Sequence, residues 1–251
     1  MDMELKKAFT KRWKKYFGPA ELPITFWYTG GEDGADLVKP GSVNRCLIAN
    51  LAKVRRGRPM RFSADSIGCA GGRRYCGFGG TLRPNFNFFL SYGIPGEVEG
   101  ERYKKSPELV AEVMARAPAL KAPARYIVFK RWDQLDESDN PAAVVFAATP
   151  DVLAGLFTLA NYDEVEQNVV IPPFGAGCAQ VVQYPYLEQQ TAKPRCVVGL
   201  FDPSARPYMP AGMLSFAAPM KRFTTMATHM DESFLITGTW KKMLKRIKAG
   251  R

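Results

Sequence analysis

Apolar residues recur at helical spacing near both ends of the chain. In residues 3–17 they share one helix face and lysines fill the other, which predicts an amphipathic helix that Gly18-Pro19 ends. The apolar face of this helix consists of Leu5, Phe9, Trp13, Tyr16 and Phe17. A last helix is predicted to begin near Thr239. Its apolar positions are Trp240, Met243, Leu244 and Ile247, again with lysines facing out.

Between these helices, short β-branched and aromatic runs alternate with capped helical segments. The predicted strands are 23–28, 125–130, 142–148, 196–201 and 213–218. Ser42 is suited to cap a helix running to about Arg56, and Ser106 a helix running to about Arg116. The pattern predicts an α+β (mixed α/β) protein in which helices cover a mixed sheet.

Two stretches of the chain repeat one order of elements. The stretches from Ser42 to Cys69 and from Asp151 to Cys178 each contain a capped helix, a short extended segment and a Gly-Cys turn. Their offset is 109 at both ends (151 minus 42, and 178 minus 69). This predicts one compact domain, 1–251, built from two similar β-α-β halves, 20–120 and 121–251. Cys69 and Cys178 would then be equivalent, with chance similarity as the alternative.

The composition predicts a globular protein without a membrane span. A hydrophobic content of 46% predicts a globular chain with a real core, and no run approaches the roughly 18 apolar residues of a membrane span. The first residues contain no apolar signal segment, so we expect a cytoplasmic protein. In that compartment the five cysteines favour metal, cluster or thiol chemistry, or simple burial, over disulfides.

The net charge of +11 is concentrated in three segments, 1–18, 53–74 and 240–251. Such segments attract nucleic acid, anionic lipid or a small anionic ligand, or they are solvated helix faces. No aromatic-interleaved motif or zinc finger accompanies the charge. The sequence therefore disfavours nucleic acid as a partner and leaves a small anionic ligand as the better candidate.

The run 66–80 holds two cysteines and six glycines, which predicts an irregular loop rather than a packed helix or regular strand. With two cysteines elsewhere it supplies four candidate metal ligands, Cys46, Cys69, Cys76 and Cys178. Their spacing matches no standard ferredoxin or zinc-ribbon motif. Backbone N–H groups of glycine turns stabilise thiolates, and the single histidine argues against a His-rich zinc or haem site. An iron–sulfur cluster or metal ion is the leading interpretation, with a reactive thiol or purely structural cysteines as alternatives.

Cys178 is also a candidate nucleophile, because it follows Gly177 at the predicted start of a helix. A helix N-terminus lowers the pKa of a thiol; the alternative is a small residue needed for packing. Arg206, in a proline-bounded turn, is suited to hold an anion or to fix the turn. Cys196 begins an apolar strand and is predicted to be a core residue. The candidate ligand-binding residues are Gly68, Gly71, Gly72, Arg73, Gly177 and Arg206.

In several of these motifs the chain resembles an uncharacterised prokaryotic family known as domain of unknown function 169, also described as an archaeal conserved-region protein. The resemblance is carried by Cys46, Gly68 to Gly72, Pro173 to Cys178, Asp202 to Pro207 and Asp231 to Thr237. It covers nearly the whole chain, and its more specific part is the C-terminal half. It implies that the cysteine turns belong to a shared architecture. It implies no substrate, because no activity is established for the family.

Overall fold

The structure, a computed structural model, describes residues 1–31 and 34–250. Glu32, Asp33 and Arg251, which the predicted domain 1–251 includes, lie outside the described residues. The strands are β1 Ile24–Thr29, β2 Asp36–Leu37, β3 Met60–Phe62, β4 Gly93–Ile94, β5 Val98–Glu99, β6 Tyr126–Arg131, β7 Ala143–Ala148, β8 Val170–Ile171, β9 Cys196–Gly199 and β10 Leu214–Pro219. The helices are α1 Met3–Phe17, α2 Leu47–Arg55, α3 Ala70–Tyr75, α4 Phe86–Leu90, α5 Pro107–Arg116, α6 Pro150–Ala160, α7 Tyr184–Gln189, α8 Met220–His229 and α9 Gly238–Ala249. A π-helical segment, Ala179–Gln183, runs directly into α7.

A mixed sheet organises the fold. Its eight described strands have the order β2-β3-β6-β1-β7-β10-β9-β8, and β4 and β5 form a separate hairpin. The two edge pairs, β2 with β3 and β8 with β9, are parallel, and the other pairs are antiparallel. This confirms the predicted α+β class with a mixed sheet. None of the helices in the described part of the chain has both the length and the apolar character that a membrane crossing demands.

The sheet consists of two strand sets with matching topology. The first set is β1, β2, β3 and β6; the second is β7, β8, β9 and β10 in the reverse spatial order. Their registers also match: β1 pairs with β6 from Ile24–Arg131 to Thr29–Tyr126, and β7 pairs with β10 from Ala143–Pro219 to Ala148–Leu214. Where the sets meet, β1 and β7 pair symmetrically about Thr25 and Val144. A pseudo-twofold axis therefore passes through the sheet at that pair.

The topology changes which cysteines are equivalent. In each set a helical segment connects the two parallel edge strands, and Cys46 and Cys178 lie at the starts of these two segments. The counterpart of Cys178 is therefore Cys46, and the predicted equivalence of Cys69 with Cys178 is wrong. The equal offset of 109 misled because it matched α2 with α6. Helix α6 connects β7 to β8, whereas α2 connects β2 to β3. The strand sets divide between β6 and β7, rather than at residue 120.

Each face of the sheet carries its own apolar core, because successive strand residues point to opposite faces. One face packs against α1, α6, α8 and α9 through a large aromatic cluster that includes Phe9, Trp13, Phe146 and Phe223. The other packs against α2, α3 and the π-helical segment. Cys196 lies on the aromatic face and is fully buried, as predicted for a core cysteine. The remaining four cysteines lie on the opposite side.

Helix α1 forms from local signals that the sequence displays. The carboxylate of Asp2 accepts hydrogen bonds from the backbone N–H groups of Glu4 and Leu5, which caps the helix. Gly18, with φ of +59°, ends it in a conformation that other residues adopt at a cost. The predicted bounds 3–17 are confirmed.

Two predicted bounds near the cysteines are wrong. Helix α2 begins at Leu47 rather than at Ser42, because the Asn44 side chain accepts a hydrogen bond from the backbone N–H of Cys46 and holds a turn there. Cys46 is therefore the N-cap of α2. The glycine run 66–80, predicted as a loop, contains α3. Gly72 permits this helix, since a Cβ there would lie 2.9 Å from Cγ2 of Ile67.

Candidate functional site

Four cysteines surround the place where the two strand sets meet on one face of the sheet. Three lie at helix starts: Cys46 and Cys69 are the N-cap residues of α2 and α3, and Cys178 lies in the helical turn that leads into the π-helical segment. Cys76 follows the last residue of α3. The two symmetry-related connections touch near the axis, because a Cβ on Gly177 would lie 3.4 Å from Cγ1 of Ile48. The structure thus brings together the four cysteines that the sequence selected.

The pKa of Cys178 depends on the other three thiols. Burial is the main cause that raises its pKa, and the other three cysteines raise it further, Cys76 most, then Cys46 and then Cys69. Burial likewise raises the pKa of Cys76, with a contribution from Cys69. Cys76 and Cys178 are buried, whereas Cys46 and Cys69 are partly exposed. The site therefore has a buried, protonated pair of thiols and a pair that solvent can reach.

The raised pKa corrects the expectation for Cys178 as a nucleophile. The sequence predicted a thiol whose pKa is lowered by a helix N-terminus, but desolvation outweighs that effect in the fold. Its side chain makes no capping hydrogen bond to the segment that it begins. In this state Cys178 is a poor nucleophile near neutral pH, and its candidate catalytic role has no support from its surroundings.

Arg73 is the cation of the site. Cys69, Arg73 and Cys76 follow one another at spacings of four and three residues across α3, which places them on one helix face. The guanidinium of Arg73 has no hydrogen bond or ion pair with any described residue, and its Nε atom is buried without a partner. A buried N–H without a partner costs free energy. Arg73 is therefore available to an anion or to a negatively charged group held by the neighbouring thiols.

The glycines of the site permit close packing. A Cβ on Gly71 would lie 3.7 Å from Sγ of Cys69, and one on Gly68 would lie 3.2 Å from Cα of Arg45. Gly72 is buried against Ile67, and the Cβ it lacks would also lie 3.7 Å from Cβ of Cys69. These glycines bring α3 close to the start of α2, and thereby bring Cys69 toward the other thiols.

Asp202 connects the second glycine turn to the turn after β9. Its carboxylate accepts hydrogen bonds from the backbone N–H of Gly177, at 3.2 Å, and from both N–H and O–H of Ser204. Arg206, predicted as an anion clamp or a turn brace, donates instead to the backbone carbonyl of Met213. That bond favours the bracing role, and Arg206 is a weaker candidate for ligand binding than Arg73.

The arrangement of the thiols differs from that of an assembled metal centre. Among residues 1–31 and 34–250, no three His, Cys, Asp or Glu side chains are grouped as the ligands of one metal ion. Metal binding by these thiols therefore requires them to come closer together than they lie in this structure. The iron–sulfur or metal role of the set stays a prediction.

Three further residues belong to the site and were not recognised in the sequence. The hydroxyl of Tyr28 donates to the backbone carbonyl of Cys76 at 2.9 Å. The amide of Asn50 donates to the carbonyls of Asn44 and Cys46, and its buried Oδ1 atom has no hydrogen-bond partner. Burial raises the pKa of Tyr75, and the nearby Cys178 adds to that rise. Only Asn50 carried a signal, since it lies one helical turn after Cys46.

We expect thiol reactivity to divide the five cysteines. With an alkylating reagent near neutral pH, native protein should be labelled at Cys46 and Cys69 first. Cys76, Cys178 and Cys196 should react only slowly, because burial raises the pKa of each thiol, that of Cys196 to about 12, and blocks access. Labelling of the buried thiols should accelerate as pH rises. Mass spectrometry of timed samples measures this order, and rapid labelling of Cys178 at neutral pH would contradict it.

The comparisons with known proteins give one match. A model of the family DUF169, described as an uncharacterised ArCR, matches residues 16–229. No curated protein and no solved structure matches the chain. The matched range contains both strand sets and all four cysteines of the site. It excludes α9 and nearly all of α1.

Proposed function

The chain belongs to the uncharacterised family DUF169, and from this premise we propose that it binds a metal ion or an iron–sulfur cluster through Cys46, Cys69, Cys76 and Cys178. The observation that supports the proposal is that these thiols, distant in sequence, lie on one face of the sheet, where Cys46, Cys69 and Cys76 are near enough to raise the pKa of Cys178. Thiolate sulfur is the preferred ligand of iron–sulfur clusters and of soft metal ions. A centre of this kind that changes oxidation state would give the protein a redox role. The compartment we propose is the cytoplasm, where free thiols such as these five persist.

The surroundings of the thiols support a charged metal centre. Thiolates bound to metal carry negative charge, and the unpaired guanidinium of Arg73 lies on the same helix face as two of them. Cys46 and Cys69 are N-cap residues and Cys178 lies in the first turn of its helical segment, where backbone N–H groups would be available to sulfur ligands. Metal binding would displace the protons that the raised pKa values of Cys76 and Cys178 retain. Affinity for the metal should therefore rise with pH.

The test is metal analysis of protein purified without oxygen and reconstituted with iron and sulfide. We expect wild-type protein to retain iron and to show the broad visible absorbance of a cluster. Cys69→Ser should lose both, because it removes one ligand at a partly exposed position where the fold tolerates serine. Cys196→Ala is the matched control, since its thiol lies on the opposite face of the sheet and should not affect iron content.

The outcome against the proposal is equally definite. Colourless wild-type protein that binds neither iron nor zinc would overturn it. Equal iron content in wild type and Cys69→Ser would show that any bound metal is adventitious.

A second function is favoured by Arg73 alone: binding of a small anionic ligand without metal. The buried, unpartnered Nε of this side chain is a hydrogen-bond donor that a phosphate or carboxylate group would satisfy. Inorganic phosphate should then raise the thermal stability of metal-free wild type and have no such effect on Arg73→Met. Equal stabilisation of both proteins would exclude this function.

A further inference from the structure

We propose that a basic surface formed by α1 and α9 binds the phosphate backbone of a double-stranded nucleic acid. The surface consists of two lysine rows, Lys7, Lys11 and Lys14 on α1 and Lys241, Lys245 and Lys248 on α9. Within each row the residues follow at spacings of four and three positions, so they share one side of their helix. The cysteine site and this surface lie on opposite faces of the sheet, and the proposal does not depend on the metal.

Tertiary packing joins the two rows, which are more than 220 residues apart in the chain. The indole N–H of Trp240 donates to the backbone carbonyl of Tyr16 at 2.7 Å, and the rings of Trp240 and Phe17 have centroids 5.3 Å apart. A Cβ on Gly18 would lie 3.4 Å from Cε of Lys248, so the lysine stem packs against the end of α1. Helix α9 therefore adjoins the C-terminal end of α1, which brings the two lysine rows to neighbouring parts of the surface.

The charge of this surface is largely uncompensated. Within the described residues, Lys7 pairs with Glu4, and the other five lysines of the two rows form no ion pair. Two nearby acids are already engaged: Asp231 binds Arg12 and Lys15, and Asp151 binds Arg246. Glu137 lies near Lys7 but forms no ion pair with it. Helix α9 contains no acidic residue. A polyanion approaching here meets free ammonium groups on helices fixed by the aromatic core.

The charge spacing and the polar character of the surface favour a duplex over a lipid membrane. Each row extends about 10 Å along its helix, and a DNA duplex presents about one negative charge per 1.7 Å of its axis. Interfacial membrane helices insert large apolar side chains. None of the exposed large apolar side chains in the described residues lies on α1 or α9, whose apolar residues face the core. Since lysines contact phosphates and do not read bases, binding should be independent of sequence.

The test is fluorescence anisotropy of the full chain with a short labelled DNA duplex over a series of salt concentrations. We expect wild-type affinity to fall steeply with salt. The variant Lys241→Ala/Lys245→Ala/Lys248→Ala should lose at least about tenfold in affinity at low salt, and its slope of log K against log salt should shrink by about 2 to 3. The matched control, Lys39→Ala/Lys105→Ala/Lys121→Ala, removes the same charge from exposed positions elsewhere and should keep the wild-type slope.

Three results would overturn the proposal. The first is that wild type shows no salt-dependent binding to the duplex. Both triple variants could lose affinity equally, which would indicate net charge rather than this surface. Wild type could bind vesicles that contain phosphatidylserine and ignore the duplex, which would make the surface a membrane contact. Circular dichroism verifies that each variant is folded.

Discussion

Asp139→Ala is expected to lower the free energy of unfolding by about 3 to 5 kcal/mol, because it leaves a buried ammonium group without its main partner. The Asp139 carboxylate lies 2.9 Å from Nζ of Lys130, and the exposed fractions of the two side chains are 0% and 3%. The carboxylate also accepts a hydrogen bond from the backbone N–H of Asp136 at 2.9 Å. The measurement is the midpoint and slope of urea unfolding.

Asp136→Ala is the matched control for this substitution. Asp136 also approaches Lys130, at 3.3 Å, but its side chain is 57% exposed. A solvated ion pair contributes about 0 to 1 kcal/mol, so the cost should be small. Adding Lys130→Met to Asp139→Ala should recover much of the loss, because it removes the unpaired charge. Equal destabilisation by the two single variants would contradict the argument.

Gly77→Ala is expected to cost about 2 to 5 kcal/mol and to expose Cys76. Gly77 has φ of +79°, where an L-residue carries about 1 to 2 kcal/mol of strain. The added Cβ would lie 2.5 Å from the backbone nitrogen of Ala122 and 2.9 Å from Cγ of Leu120, which adds about 1 to 3 kcal/mol of overpacking. The backbone N–H of Ala122 donates to the carbonyl of Gly77 at 2.7 Å. A displaced segment 120–122 would therefore uncover the end of α3.

Gly79→Ala separates the two causes. Gly79 has nearly the same backbone conformation, φ of +75°, but no atom lies within 4 Å of its missing Cβ. It should cost only the conformational strain and leave Cys76 protected. Unfolding in urea and native-state alkylation of Cys76 measure both effects. If the two glycine variants behave alike, the contact with residues 120–122 does not hold the buried thiol in place.

The positions of the site cysteines were predictable from the sequence, but their protonation and their symmetry relation were not. Cys46, Cys69, Cys76 and Cys178 were selected because glycine turns and helix starts accompany them, and those signals are local. Their protonation was not predictable, because the pKa of Cys178 is raised by burial and by thiols that are distant in sequence. For the same reason the equal offset of 109 led to the wrong equivalent of Cys178. The symmetry of the sheet resides in strand pairing, and strand pairing joins residues that are far apart in the chain.

Local physical chemistry made much of the fold predictable from the sequence alone. Helix α1 follows from its cap, its apolar stripe and the glycine that ends it. The strands β1, β6, β7 and β10 follow from their β-branched and aromatic runs, and the mixed α+β class follows from their order. These properties depend on backbone preferences and on burial of apolar surface within single segments, which a short stretch of sequence contains.

The tertiary structure alone decided which of these segments meet. It placed Lys130 beside Asp139 and the lysines of α1 near those of α9. It also made Cys46 the counterpart of Cys178. The sequence disfavoured nucleic acid because no binding motif accompanies the basic segments, and it did not reveal that packing through Trp240 and Tyr16 brings two of these segments together. The physical reason is common to all three cases: charge interaction, burial and strand pairing depend on distance in space, and the chain sets that distance only when it folds.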